Sequence, residues 1–180
     1  DVVGVDSSMA MLNRFRAAPG AVALGGDMQS LPIGDAHFDL ALIATNTLFN
    51  LQTEQAQLSC FAECRRVLRL GGRLIIEAMI PGAPDPALDR LVTTRSISVD
   101  SAVLTATIRD ADSQQITGQH IQISDAGIKL RPWRIRYATL QQLDVMAEAS
   151  NFRLGARYAD WDDTPCGEES STAVSVYVAS

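Results

Sequence analysis

The sequence predicts an α/β fold: a mainly parallel sheet with helices on its faces, carrying an antiparallel β-meander as an insert. Three observations lead there. Apolar runs at residues 2–6, 21–24, 38–44 and 73–79 alternate with helical stripes, and strand–helix–strand alternation implies parallel strands joined by crossover helices. Between residues 95 and 137 the character changes to three or four runs of alternating apolar and polar residues with short polar breaks, the pattern of antiparallel strands with one wet face. The size is that of one unit: 180 residues, 47% hydrophobic and 20% charged, in the usual range for a single domain. The expected organisation is one domain over residues 1–180, with 88–137 as the meander insert.

Each element has its local reason. Val2-Val3-Gly4-Val5-Asp6 is a buried-strand run that ends in an acid. Ser7 and Ser8 are N-cap types, and Met9, Leu12 and Phe15 form a helical apolar stripe that Pro19-Gly20 stops. Residues 21–24 make a short second strand, followed by Gly25-Gly26-Asp27-Met28 and the loop Leu31-Pro32-Ile33-Gly34-Asp35. Residues 38–44 are a continuous apolar strand of the kind buried on both faces.

A helix over 53–68 has Thr53 as its cap and Glu54 against the positive end of the helix dipole. Leu58, Phe61, Cys64 and Leu68 form its buried stripe, Arg65, Arg66 and Arg69 suit its C-terminal end, and Gly71 supplies a left-handed stop. Residues 73–79 are a further apolar strand. Pro81, Pro84 and Pro86 stiffen the connection to the meander, with strands at 95–99, 102–110, 115–123 and 129–137. Thr139 and Gln142 have capping-box spacing for a helix to residue 150, with Leu143, Met146 and Ala147 inward. Residues 152–158 and 173–178 close the chain as an antiparallel pair.

Charge and composition exclude several function classes. With 15 basic and 21 acidic side chains the net charge is −6, and the pI of about 4.8 argues against a nucleic-acid partner, which requires clustered basic surface. The longest uninterrupted apolar run, residues 40–44, is far short of the roughly 20 residues a membrane helix needs, so no membrane partner is expected. Three cysteines (Cys60, Cys64 and Cys166) and no visible charged-then-apolar leader suggest reduced thiols and a cytoplasmic setting. Cys60 and Cys64 share a helix face, but Val67 stands where a third ligand would fall and no histidine is near in sequence. Buried or semi-buried thiols, and no metal, are the expectation.

The candidates for chemistry cluster at strand ends. A carboxylate at the tip of a parallel strand is placed to accept from both hydroxyls of a ribose, and Asp6 has that position; a helix cap or turn is its competing role. Ser7 follows it. Asp27, one strand later, is placed to accept from an adenine amino group while Met28 offers its backbone amide and an apolar side chain; Gly-Gly-Asp is also turn chemistry. Asn46 and Thr47 leave the tip of the third strand, where a cofactor or substrate would meet the sheet. Glu77 ends the next strand. His37, in a polar loop, and His120, in the meander, are the histidines to weigh as bases, each against a plain surface role, and no catalytic residue is named from sequence. Trp133 and Tyr137 are candidate substrate-pocket walls, with packing as the commoner role.

Taken together the segments resemble the class I S-adenosylmethionine-dependent methyltransferases. The residues that carry the likeness are Val3-Gly4-Val5-Asp6-Ser7-Ser8-Met9, Gly26-Asp27-Met28-Gln29-Ser30-Leu31-Pro32, Phe38-Asp39-Leu40-Ala41-Leu42-Ile43 and Arg66-Val67-Leu68-Arg69-Leu70-Gly71-Gly72-Arg73-Leu74. Asn46-Thr47-Leu48-Phe49-Asn50-Leu51, Arg136-Tyr137, Leu143-Asp144-Val145-Met146-Ala147 and the closing Ser175-Val176-Tyr177 are similar to a subgroup that methylates small molecules.

The resemblance implies a Rossmann-like sheet of order 3-2-1-4-5-7-6, S-adenosylmethionine as cofactor, and Asp6, Ser7, Asp27, Met28 and Asn46 as its binding residues. It implies transfer to an O or N atom of a small molecule, with the meander as substrate cover and a candidate homodimer contact. One departure stands out. The family's D-x-G-x-G-x-G loop has no counterpart here, and the sequence opens at what would be the second strand. The expectation is an incomplete sheet lacking its first strand, roughly 60 or more further residues before Asp1 in the natural protein, and little activity for residues 1–180 alone. Two other readings stay open: a nicotinamide-dependent oxidoreductase fragment, because an acidic strand tip also suits that ribose, and a non-catalytic interaction module derived from a methyltransferase.

Overall fold

The computed structural model describes residues 2–16, 22–85 and 87–180. Strands β1 (Val3–Asp6) and β2 (Val22–Gly25) pair in parallel, with helix α1 (Met9–Arg16) between them in sequence. A second sheet is built from β3 (Phe38–Ile43), β4 (Leu68–Met79), β9 (Phe152–Tyr158) and β10 (Thr172–Ala179), in the order β3-β4-β10-β9. β3 and β4 are parallel, whereas β10 runs antiparallel to both its neighbours. Helices α2 (Glu54–Val67) and α3 (Leu140–Ala149) pack on it. The third sheet is the meander: β5 (Arg90–Ile97), β6 (Ser101–Asp110), β7 (Gln115–Ser124) and β8 (Gly127–Arg136), each antiparallel to the next. The α/β class and the meander are thus as expected. β2-β1 and β3-β4-β10-β9 correspond to the runs 3-2 and 4-5-7-6 of the expected order, and among the described residues β1 and β3 do not pair.

The core lies on one face of the second sheet. Leu74, Ile76, Ala78, Tyr177 and Ala179 alternate inward from β4 and β10, against Phe61 and Cys64 of α2 and Leu143, Met146 and Ala147 of α3. Both helices start as their sequences dictate. Thr53 Oγ1 accepts from Ala56 N, and Thr139 and Gln142 form the full capping box. Asn151 takes a left-handed φ of 58° after α3. Cys60 and Cys64 are buried in α2; the hydrogen bond to Cys64, reinforced by burial, pushes the Cys60 thiol far above its ordinary range, so it packs rather than reacts. Among the described residues no cluster of three or more His, Cys, Asp or Glu is placed to hold a metal. None of their helices is long and apolar enough to cross a membrane.

Several local expectations are corrected. β3 is not buried on both faces: Leu40 and Leu42 are 52% and 55% exposed, because β3 is an edge strand and its outward face has no covering layer among the described residues. Among the described residues of α1 only Leu12 is buried, while Met9 and Phe15 are exposed; the Pro19-Gly20 stop lies outside the described residues. The buried face of α2 is Gln57, Cys60, Phe61, Cys64 and Val67, with Leu58 only half-buried. Gln57 displaces the apolar residue because its amide has work there: Nε2 donates to Leu51 O and Arg136 O, and Oε1 accepts from Arg136. β4 starts at Leu68, directly after α2, five residues before the expected strand.

Candidate functional site

The site forms where β3 and β4 end. Thr45 and Asn46 leave β3 with left-handed φ values of 55° and 59°, a conformation asparagine tolerates better than most residues. Glu77 fixes this turn: its Oε2 accepts from Thr45 N at 2.9 Å and its carbonyl accepts from Asn46 N at 3.2 Å. The Asn46 side chain completes it, Oδ1 accepting from Met79 N at 2.6 Å. A short 3₁₀ turn, Thr47–Asn50, follows and drives Leu48 and Phe49 fully into the core. The strand-end loop is therefore anchored from both sides.

Above it lies a cavity of about 560 Å³, floored by Thr45, Asn46, Asn50 and Met79 and walled by one face of the meander. That wall is built by register. Leu91, Thr107, Gly118 and Trp133 stand opposite one another across β5, β6, β7 and β8. Gly118 is required: a Cβ there would meet the Trp133 ring at 2.2 Å, so the missing side chain is the bed on which the indole lies. In the next row His120 faces Thr105, with Thr105 Oγ1 and His120 Nδ1 3.0 Å apart, and its ring centroid is 5.8 Å from that of Trp133. Arg109 closes one side. It pairs with Asp89 and donates to Gly82 O and Ala83 O, tying these three residues to the meander.

The other predicted residues fall into two groups. Asp6 and Asp27 leave the same end of the β1–β2 pair, joined by a hydrogen bond from Gly26 N to Asp6 O of 3.2 Å. Each carboxylate holds its own turn: Asp6 Oδ1 accepts from Ser8 N at 2.7 Å, and Asp27 Oδ1 accepts from Gln29 N at 2.9 Å. Asp6 and Ser7 are exposed, and Met28 packs partly against the core. The loop after Met28 is tied to α2 by Glu63, which accepts from Leu31 N, and by Arg66, which donates to Leu31 O and Ile33 O. Neither acid lines the 560 Å³ cavity; Asn46 and Trp133 do.

Tyr137 does not join Trp133. It is 5% exposed within the core cluster, because β8 ends at Arg136 and the chain turns there toward α3. Its place is in packing. His37 is exposed, its ring against Phe38. Thr105, Arg109 and Gly118 were not singled out from sequence. A glycine inside an alternating strand was the one available signal, since it marks a close approach.

Comparison with known proteins bears on the whole arrangement. Residues 1–76 match the family model described as a methyltransferase domain. A putative methyltransferase of Encephalitozoon cuniculi is 36% identical over 75 residues, 42% of this chain and 35% of that relative, so the match covers only about a third of that curated protein. The solved CcbJ methyltransferase from Streptomyces caelestis is 30% identical with a TM-score of 0.90, covering 99% of this chain and 75% of that one. CalS10 from Micromonospora echinaspora, an amino pentose methyltransferase solved with S-adenosylmethionine bound, is 19% identical with a TM-score of 0.77, covering 99% and 74%.

Proposed function

Because the chain belongs to the class I S-adenosylmethionine-dependent methyltransferases, we propose that its site serves methyl transfer to an oxygen or nitrogen atom of a small molecule. The observation that supports this most directly is the cavity between the Asn46 turn and the meander, at the ends of parallel strands where ligands of open α/β sheets bind. Membership in this family also decides between the two cofactor readings, against a nicotinamide.

The bound cofactor supplies a methyl group already activated as a sulfonium. The chain's own residues therefore position, shield and, where the acceptor arrives protonated, deprotonate. Asp6 and Ser7 fit the ribose, being exposed at the tip of β1. Asp27 and Met28 fit the adenine, because the β2 exit turns tightly at Gly26, where a Cβ would meet Pro32 at 2.6 Å. Asn46 orders the loop between cofactor and acceptor. Trp133 walls the acceptor, and His120, oriented by Thr105, is the candidate proton acceptor. No residues in this sequence supply the D-x-G-x-G-x-G loop for the methionine end, so residues 1–180 by themselves are expected to bind the cofactor weakly. A cytoplasmic setting and a homodimer through the meander belong to the same proposal.

Calorimetric titration of S-adenosylmethionine into the chain tests the affinity, with little heat expected; tight binding would overturn that part. A screen for labelled-methyl incorporation into amino sugars and other small hydroxyl or amino compounds, with whatever form of the protein binds cofactor, tests the transfer. A cofactor-binding form that labels none of them would remove the acceptor assignment.

A further inference from the structure

The cavity's charge runs opposite to that of the chain. The protein carries a net charge of −6, yet the described residues that line the cavity include Arg95, Arg109 and His120 and no carboxylate. Arg109 is committed to Asp89 and to two backbone carbonyls. Arg95 is not: among the described residues its side chain makes no ion pair and no hydrogen bond.

Its position is set by an irregularity in the ladder. Thr94 pairs with Leu104 and Ser96 with Val103, so Arg95 is the extra residue of a bulge. A bulge re-aims the side chain it inserts and is tolerated best on an edge strand, which β5 is. Trp133, on the same cavity, keeps Nε1 buried with no partner. Among the described residues, the exposed Arg95 fork at one edge of the meander has no protein counter-ion, and the buried Trp133 N–H at the other edge has no acceptor, so the cavity lining offers donors without matching acceptor oxygens. The remaining wall is apolar: Leu91, Ile116 and Ile135.

We infer that the cavity takes an acceptor molecule bearing an anionic group, carboxylate or phosphoryl, which Arg95 binds while the apolar wall and Trp133 hold the uncharged body. This rests on reading the cavity as the acceptor site. It adds a substrate class and a specificity residue that the cofactor does not require.

The test uses the full chain with Trp161→Phe, so that Trp133 is the sole tryptophan. Its fluorescence is titrated with phenyl phosphate, phenylacetate and uncharged benzyl alcohol. At least one anion is expected to bind about tenfold more tightly than the alcohol, and the tighter of the two identifies which oxygen group the cavity prefers. Arg95→Gln should remove that advantage and leave the alcohol unchanged. Arg95→Lys should keep part of it, and Arg153→Gln, on the exposed part of β9, should leave it whole. Equal binding of all three probes, binding of none, or an Arg95→Gln chain that behaves as the parent would overturn the inference. Cofactor binding is measured separately. Anion selectivity lost with Arg95→Gln stands even where the methyl-transfer screen fails, and labelled acceptors without anion selectivity would sink this inference alone.

Discussion

The sheet β3-β4-β10-β9 and the meander β5-β6-β7-β8 have the same number of strands and opposite means of support. In the first, Leu74, Ile76 and Tyr177 are completely buried against α2 and α3. In the second, only Gly118 and Arg136 are buried within the strands. The first is held by packing. The second is held by its own ladder and cross-strand pairs, and is fastened to the body at one end. Ile116 and Ile135 touch the core there, and a polar clasp does the rest: Arg136 donates to Gln57, Glu54 and Gln114, and Gln57 donates back to Arg136 O. A cavity wall built this way keeps its shape while leaning on few contacts, so the clasp, rather than burial, fastens it to the body.

The two tryptophans separate the regions, Trp133 in β8 and Trp161 in the β9–β10 connection. The largest effect should come from the packed region. Phe61 is 1% exposed, edge-on to Tyr177 at a centroid distance of 6.0 Å. Phe61→Ala should cost about 3–5 kcal/mol, seen as a lowered urea midpoint of Trp161 in a Trp133→Phe background. Trp133, followed alone, should move to the same midpoint, because the clasp hangs the meander on α2. A Trp133 transition that stays put would break the comparison by showing a meander stable without its support.

The next effect is smaller and should separate the regions. Arg136→Met leaves the buried Gln57 Oε1 without its donor and removes the bond to Gln114, a loss of about 2–3 kcal/mol. Trp133 should then lose its folded signal before Trp161 does. Adding Gln57→Leu should recover none of the loss, because the carbonyls of Leu51 and of residue 136 then lose the Nε2 donor. Coincident transitions in Arg136→Met would show that the ladder and the apolar contacts carry the junction.

What the sequence made legible follows the same division. Element order, both helix caps and three of the four meander strands were readable, because periodicity and capping are local; β5 runs Arg90–Ile97 rather than the expected 95–99. The two sheet runs were readable through the resemblance. Burial was not: Leu40 and Leu42 look interior as letters, but only a neighbouring layer makes them so, and Gln57 looks exterior until its three hydrogen bonds are counted. Asp6, Asp27 and Asn46 were placed at strand ends by pattern alone, and of the three Asn46 lines the cavity. Trp133 and Tyr137 were indistinguishable by alternation, since residues four apart on a strand share a face; the end of β8 between them sends one to the cavity and the other to the core. Arg95 was invisible as a site residue, because a one-residue bulge is a property of pairing and leaves no mark in a single strand's sequence.

The smallest effect is one of pH, and it belongs to the packed sheet. Tyr177 donates to Asp144 Oδ1 at 2.9 Å, and Arg157 donates to the phenol oxygen at 3.2 Å. Burial first, then the Asp144 charge, hold the phenol protonated above its ordinary range. The unfolded chain releases that proton near pH 10 while the folded chain keeps it, so stability present below about pH 10 is lost progressively as pH rises toward the folded value. Tyr177→Phe should cost about 1 kcal/mol at neutral pH for the lost bond and should flatten the alkaline decline by close to one proton. Urea midpoints of both chains across pH 8 to 11 measure it. Parallel curves would mean that the phenol proton is shed as readily inside as outside, and that the packed sheet is wetter at Tyr177 than its burial indicates.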